Sequence, residues 1–127
     1  MKARLTRSLL VLVAGAALFA AGVLYADNHV EKPTSVIHVG TLDWAEGASK
    51  EEIQAALDGV ETLAAEYDGI TRVWLKSIKS QTKDAAFVME FKDQAALEAY
   101  AGSDAQKKWY EVYLPVRGRS VTSDITN

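Results

Sequence analysis
The chain has no cysteine among its 127 residues. That absence excludes a disulfide framework, iron–sulfur ligation, thiolate zinc, a cysteine nucleophile and the lipid-anchor cysteine of a bacterial lipoprotein signal. Proline is scarce, with two residues, and both fall where regular structure would stop anyway. No basic block exists, and that argues against nucleic acid, whose binding rests on Lys and Arg displacing phosphate counterions. No glycine-rich phosphate loop is present outside the apolar N-terminus, and no pair of carboxylates stands at the spacing of an acid/base dyad. The composition points to no cofactor.

What is there divides sharply. Residues 1–26 hold three of the 14 cations (Lys2, Arg4, Arg7) and none of the 17 acids. The remaining 101 residues therefore carry a formal charge of −6, on a length that suits one domain with one core. Leu9–Ala26 runs for 18 residues without a charge and ends on small residues. A basic start, an apolar run and a small-residue exit are the parts of a secretory signal, with Ala26 before the cut. Eighteen apolar residues also sit at the threshold for spanning a bilayer, so an uncleaved anchor is the rival and would make the membrane a partner. Eight of the 18 are Ala or Gly, and Leu24-Tyr25-Ala26 is an imperfect cleavage tripeptide. Either way the cations stay inside and the body faces a bacterial periplasm or other extracytoplasmic space. Cleavage after Ala26 would expose Asp27-Asn28-His29. A free α-amine, two amides and a third-position imidazole can then hold Cu(II) or Ni(II) in a plane of four nitrogens.

Residues 27–34, with Pro33, read as a tether, and residues 35–127 as the domain. Ser35–Asp43 is β-branched and apolar, a first strand. Ser49-Lys50-Glu51-Glu52 is a capping box. Ile53, Leu57, Val60, Leu63, Ala64 and Tyr67 follow at helical spacing. Asp68-Gly69 ends that helix, with Gly69 expected in the left-handed position. Ile70–Ile78 is a second strand, with Arg72, Trp74 and Lys76 on one face and Thr71, Val73, Leu75 and Ser77 on the other. Lys79–Lys83 is a polar connection and Ala85–Phe91 a third strand. Asp93 and Ser103 cap two further helices. The second of these places Ala105, Trp109, Val112 and Val116 on one stripe, and Pro115 and Gly118 close it. Arg119–Thr126 alternates Val121, Ser123 and Ile125 with polar residues, a fourth strand.

The order β-α-β-β-α-β is the split, ferredoxin-like arrangement of an α+β domain: one antiparallel sheet with helices on one face. Trp74 and apolar residues of the third strand then fall on the uncovered face. A domain this small is most simply completed by a second copy across that face. The expectation is a homodimer, a dimeric α/β barrel with Trp74 at the interface.

Val36-Ile37-His38-Val39, the capped helix, Asp68-Gly69-Ile70, Phe87-Val88-Met89-Glu90-Phe91 and Leu97-Glu98-Ala99-Tyr100 together resemble the stress-responsive dimeric α/β-barrel family. Tyr113-Leu114-Pro115 and Ser120-Val121-Thr122 extend the resemblance to nearly all of residues 35–126. It implies a ferredoxin-like dimer, often of unknown activity. One plant branch, the olivetolic acid cyclases, closes a polyketide ring between helices and sheet, and the wider superfamily includes cofactor-free monooxygenases. In the cyclases a Tyr followed by a His-Pro-Ala-His segment supplies the acid/base pair. Tyr100 keeps that place, but the segment here is Ser103-Asp104-Ala105-Gln106, so Gln106 stands where the catalytic His would be. An amide cannot act as a general base, although Gln106 can still hydrogen-bond a ligand or the Tyr100 hydroxyl. The first-strand His is kept as His38, and Trp109, one turn after Gln106, is expected in the same pocket.

His38, Tyr100, Gln106 and Trp109 are therefore the candidate ligand pocket, with His38 and Tyr100 the candidate catalytic pair. His titrates near neutral pH and suits a pocket base. The plainer alternative is a half-buried His bonded to a hydroxyl. Tyr100 can likewise be a core ring with a tethered hydroxyl, and Trp109 and Trp74 core or interface rings. Two functions stay open. One is the binding of a small apolar or aromatic molecule. The other is a cofactor-free enzyme, cyclase-like or monooxygenase-like. Gln106 in place of the second His favours binding.

Overall fold
The computed structural model describes residues 30–127. The expected export signal, residues 1–26, and Asp27, Asn28 and His29 lie outside the described residues. Seven elements follow one another: β1 (Val36–Trp44), α1 (Lys50–Glu66), β2 (Ile70–Trp74), β3 (Ala85–Phe91), α2 (Gln94–Tyr100), α3 (Asp104–Tyr113) and β4 (Arg117–Ile125). The strands form one sheet in the order β2-β3-β1-β4, every neighbouring pair antiparallel. This is the ferredoxin-like topology expected from the sequence. Among the described residues no helix is long and apolar enough to cross a membrane.

Side-chain chemistry starts each helix. The Ser49 hydroxyl accepts from the Glu52 N–H at 3.2 Å, and the Glu52 carboxylate accepts from the Ser49 N–H at 2.9 Å. Both orphan donors of the capping box are thereby satisfied. The Asp93 carboxylate caps α2 through the Ala96 N–H at 2.8 Å, and the Ser103 hydroxyl caps α3 through the Gln106 N–H at 3.1 Å.

The end of α1 departs from expectation. Tyr67 leaves the helix in an extended conformation, and Gly69 does not take positive φ. Space explains this glycine instead: a Cβ there would come within 2.3 Å of the Tyr67 ring and 3.0 Å of the Ala96 Cβ. Left-handed glycines stand instead at Gly47, φ 85°, before α1 and at Gly102, φ 81°, between α2 and α3. β2 is also shorter than the Ile70–Ile78 expected. Past Trp74 the Ser77 hydroxyl takes over from the backbone ladder, accepting from the Ala86 N–H at 2.8 Å. β4 starts two residues earlier than the sequence pattern suggests, at Arg117.

Alternation decides what each face of the sheet does. Val36, Gly40 and Leu42 of β1, with Phe87, Met89 and Phe91 of β3, are buried beneath the helices. Ala56, Val60 and Leu63 of α1, Ala96 and Tyr100 of α2, and Trp109 and Tyr113 of α3 close over them. The α3 stripe is therefore Trp109 and Tyr113; Val116, expected on it, is buried beyond the end of the helix, and Val112, also expected on it, is 41% exposed and lines the groove beside α1. The opposite face carries Ile37, Val39, Val88, Trp74, Val121 and Ile125, set side by side by the register. Trp74, Val121 and Ile125 are all about half exposed or more there.

Candidate functional site
The helix side of the sheet holds two aromatic groups. In the first, the His38 ring stands edge-on to Phe91 at 6.0 Å and to Tyr100 at 6.2 Å between centroids. Tyr67 completes it, 5.9 Å from Tyr100, with its hydroxyl donating to the Ala96 carbonyl at 2.6 Å. In the second, Trp109 stacks on Tyr113 at 4.3 Å with the rings 9° from parallel, and meets Phe87 edge-on at 5.6 Å.

His38 has a partner that sequence reasoning missed. The β1–β4 register sets Asp124 opposite His38, and the His38 Nδ1 lies 2.6 Å from the Asp124 Oδ1. The plainer expectation of a hydroxyl partner is corrected: a carboxylate holds the ring. One signal was available. Val121, Ser123 and Ile125 mark one face of β4, so Asp124 had to share the helix-side face with His38. What the sequence did not contain was the register that makes them neighbours. The His38 side chain is 16% exposed and that of Asp124 47%, so the pair lies at the margin of the core.

Tyr100 is buried, 3% exposed. Burial pushes its phenol well above its ordinary value, while the Gln106 side chain pulls the other way. A phenol so placed stays protonated and serves as a donor rather than a base. Gln106 is braced at both ends. Its Oε1 accepts from the Gly102 N–H at 2.7 Å, and its Nε2 donates to the Tyr110 hydroxyl at 3.2 Å. It thus ties the α2–α3 turn to the second aromatic group.

Trp109 does not join His38 and Tyr100. Its indole N–H donates to the Ala56 carbonyl of α1 at 2.9 Å, which turns the ring toward α1 and away from the first aromatic group. One face of Trp109 instead lines a groove of about 470 Å³ between α1 and α3. Ala55, Gly59, Leu63, Ala105 and Val112 form its apolar walls, and Asp58, Glu66, Lys108 and Glu111 its charged rim. Lys108 and Glu66 pair across that rim. Of the four expected pocket residues, then, His38 and Tyr100 come together, Gln106 stands beside Tyr100, and Trp109 is buried against α1 at the wall of a separate groove.

The uncovered face has its own polar feature. Arg72 of β2 grips Glu90 of β3 through two N–H donors, one of them at 2.8 Å. The Glu90 side chain is only 4% exposed, and the guanidinium holds its carboxyl below the ordinary carboxylate value. The Arg72 guanidinium also lies 5.7 Å from the centre of the Trp74 ring. Among the described residues no three His, Asp or Glu converge on a point that a metal ion could occupy.

Comparison with known proteins fits this geometry. The sequence profile of the Stress responsive A/B Barrel Domain family matches residues 36–127. A search of curated proteins finds no match. Solved structures share the fold at low identity. A dimeric ferredoxin-like protein of unknown function from Bacteroides fragilis is 16% identical, with TM-score 0.60, over 76% of this chain and 100% of that one. A cofactor-independent oxygenase from Streptomyces nogalater is 12% identical, with TM-score 0.62, over 74% and 93%. The hydroxynitrile lyase of Passiflora edulis is 12% identical, with TM-score 0.67, over 75% and 94%.

Proposed function
The chain belongs to the stress-responsive A/B barrel domain family, and from that premise we propose that it is an exported, homodimeric domain that binds a small apolar or aromatic molecule on the helix side of its sheet. The groove beside Trp109 carries this reading. Its volume, about 470 Å³, lies within the roughly 300–1,000 Å³ of small-molecule sites, and apolar walls with a few polar groups are their usual lining. Export rests on the N-terminal sequence. Dimerisation rests on the uncovered apolar face and on the dimeric relatives of the same fold.

Native mass spectrometry of the full chain tests the reading, followed by titration with 1-naphthol. The expected result is saturable 1:1 binding per protomer, abolished by Ala55→Trp, which fills the groove from an exposed position on α1. Binding unchanged by that substitution would place the ligand elsewhere, and no binding would defeat the proposal.

A second reading has one observation in its favour. His38, held by Asp124 and standing edge-on to Tyr100, resembles the acid/base part of a cofactor-free enzyme. Against it stands Gln106, an amide where the cyclases carry a His. The metal reading of Asp27, Asn28 and His29 depends on the cut. N-terminal sequencing that finds Asp27 first, then a planar Cu(II) band lost in His29→Ala, is what it requires.

A further inference from the structure
We propose that the groove between α1 and α3 selects an organic cation: an aromatic or apolar body that lies against its walls and carries one ammonium group at its rim. The inference rests on the binding reading above and adds the charge class of the ligand.

The charges of the groove carry it. Asp58, Glu66 and Glu111 line it against one cation, Lys108, a formal surplus of two negative charges. Lys108 is paired with Glu66, so the surplus stands on Asp58 and Glu111. The Gln54 amide donates to the Asp58 carboxylate at 2.7 Å; being neutral, it leaves that charge in place. Glu111 also borders the next hollow along the same two helices, about 220 Å³ between Ala55, Val112, Pro115 and Val116. Glu52 is the other charged side chain there, and among the described residues no cation lines it. The floor between these rims is apolar. Gly59 lets α3 close on α1, since a Cβ there would lie 2.8 Å from the Trp109 ring and 3.3 Å from Val112. Carboxylates beside a low-dielectric floor are screened by water from one side only, which strengthens their field in the groove. A neutral ring gains from the walls alone. An anion meets the surplus and is repelled, and a cation gains from both walls and rim.

Isothermal titration calorimetry of the full chain at low salt tests this with three probes of one shape: 1-naphthylmethylammonium, neutral 1-naphthylmethanol and anionic 1-naphthoate. The expected order is cation, neutral, anion. The cation should bind roughly five-fold more tightly than the neutral probe, the size that one exposed ion pair supplies, and high salt should shrink that preference. The preference should vanish in Asp58→Asn/Glu111→Gln and rise in Lys108→Gln, which frees Glu66. Glu98→Gln, on α2 and outside the groove, should leave it as it was. Should the double variant misfold, Glu111→Gln and Lys108→Gln decide the matter. Equal affinities for cation and neutral probe overturn the proposal and leave the binding reading standing. A preference that falls as far in Glu98→Gln as in Glu111→Gln also overturns it, because the pull would then come from the charge of the whole body. If none of the three probes binds, the binding reading fails and this proposal with it. Ala55→Trp should abolish binding of the cation; a dimer split by that substitution would give the groove to a second copy and overturn the proposal.

Discussion
The two faces of the sheet are built from the same strands and have opposite fates. Under the helices, Leu42, Met89 and Phe91 are fully buried, and the aromatic rings meet in edge-on, tilted and stacked pairs. On the other face Ile37, Val39, Val88 and Trp74 stand in neighbouring register positions, on the side of the sheet away from the described helices. The strands do not alternate apolar with polar, as a half-solvated sheet would; β1 and β3 carry apolar residues on both sides. Such strands ask for cover on both sides, and the described helices supply it on one. On the homodimer proposed above, the difference separates residues that make the fold from residues that would make the assembly.

Breaking the first face should have the largest effect. Phe91→Ala removes a ring at 0% exposure that packs on His38, Tyr67 and Tyr100. Such truncations cost about 3–5 kcal/mol, a large part of the 5–15 kcal/mol that typically holds a domain together. The expected outcome is a denaturant midpoint lowered by at least about a fifth, with loss of near-ultraviolet signal from the aromatic groups.

A charge on the second face should leave the protomer folded and split the assembly. Val39 sits on the central strand β1 between Val88 and Ser123, away from any cation on that face. At Trp74, by contrast, a new acid would find Arg72 waiting. Val39→Asp places an unpaired charge in the interface, which costs about 3 kcal/mol and weakens the dimer roughly a hundredfold. Light scattering at micromolar concentration should then report a monomer with unchanged far-ultraviolet circular dichroism. A dimer of full strength would mean that the chains do not meet on this face.

How much of this was legible in the sequence differs between the faces for a physical reason. Element order, caps and strand faces follow from local pattern, so the capping box at Ser49 and the outward placing of Arg72 and Trp74 could be read directly. Gly69 could not, because its need for space arises from Tyr67 and Ala96, the latter 27 residues away in the chain. Asp124 could not, because its pairing with His38 depends on strand register across 86 residues. Trp109 was expected beside Tyr100 from helical spacing alone. Its indole N–H is drawn instead to the Ala56 carbonyl, a contact between helices that no local period encodes.

The Arg72–Glu90 pair sharpens the comparison through pH. Glu90 has its folded pKa lowered by Arg72. A lowered carboxyl contributes stability that is fully present above its unfolded value, about 4.3, and is lost as pH falls through the folded value. Arg72→Met should therefore destabilise the protein at neutral pH, with the deficit relative to wild type shrinking once the pH drops below about 4. Urea midpoints of both proteins across that range check it. A deficit independent of pH would show that Arg72 acts through its packing on Trp74 and not through the carboxylate.

The smallest expected effect separates packing from recognition on the helix side. Tyr100→Phe keeps the ring that packs on Phe91 at 5.1 Å and on His38, so the apolar contribution of the position is unchanged. Only the hydroxyl goes. One hydrogen bond of ordinary strength is worth about 1 kcal/mol, and the neighbouring Gln106 retains its bonds to Gly102 and Tyr110. The expected loss of stability is therefore at most about 1 kcal/mol, read as a small change in urea midpoint. Binding of a hydroxylated ring should respond while binding of an unsubstituted one, such as naphthalene, should not, because the hydroxyl offers a directional contact and no added apolar surface. If Tyr100→Phe instead unfolds the protein, the hydroxyl is a tether of the core. The first aromatic group would then belong wholly to the fold-making face, leaving His38, Asp124 and the groove at Trp109 as the parts that meet a ligand.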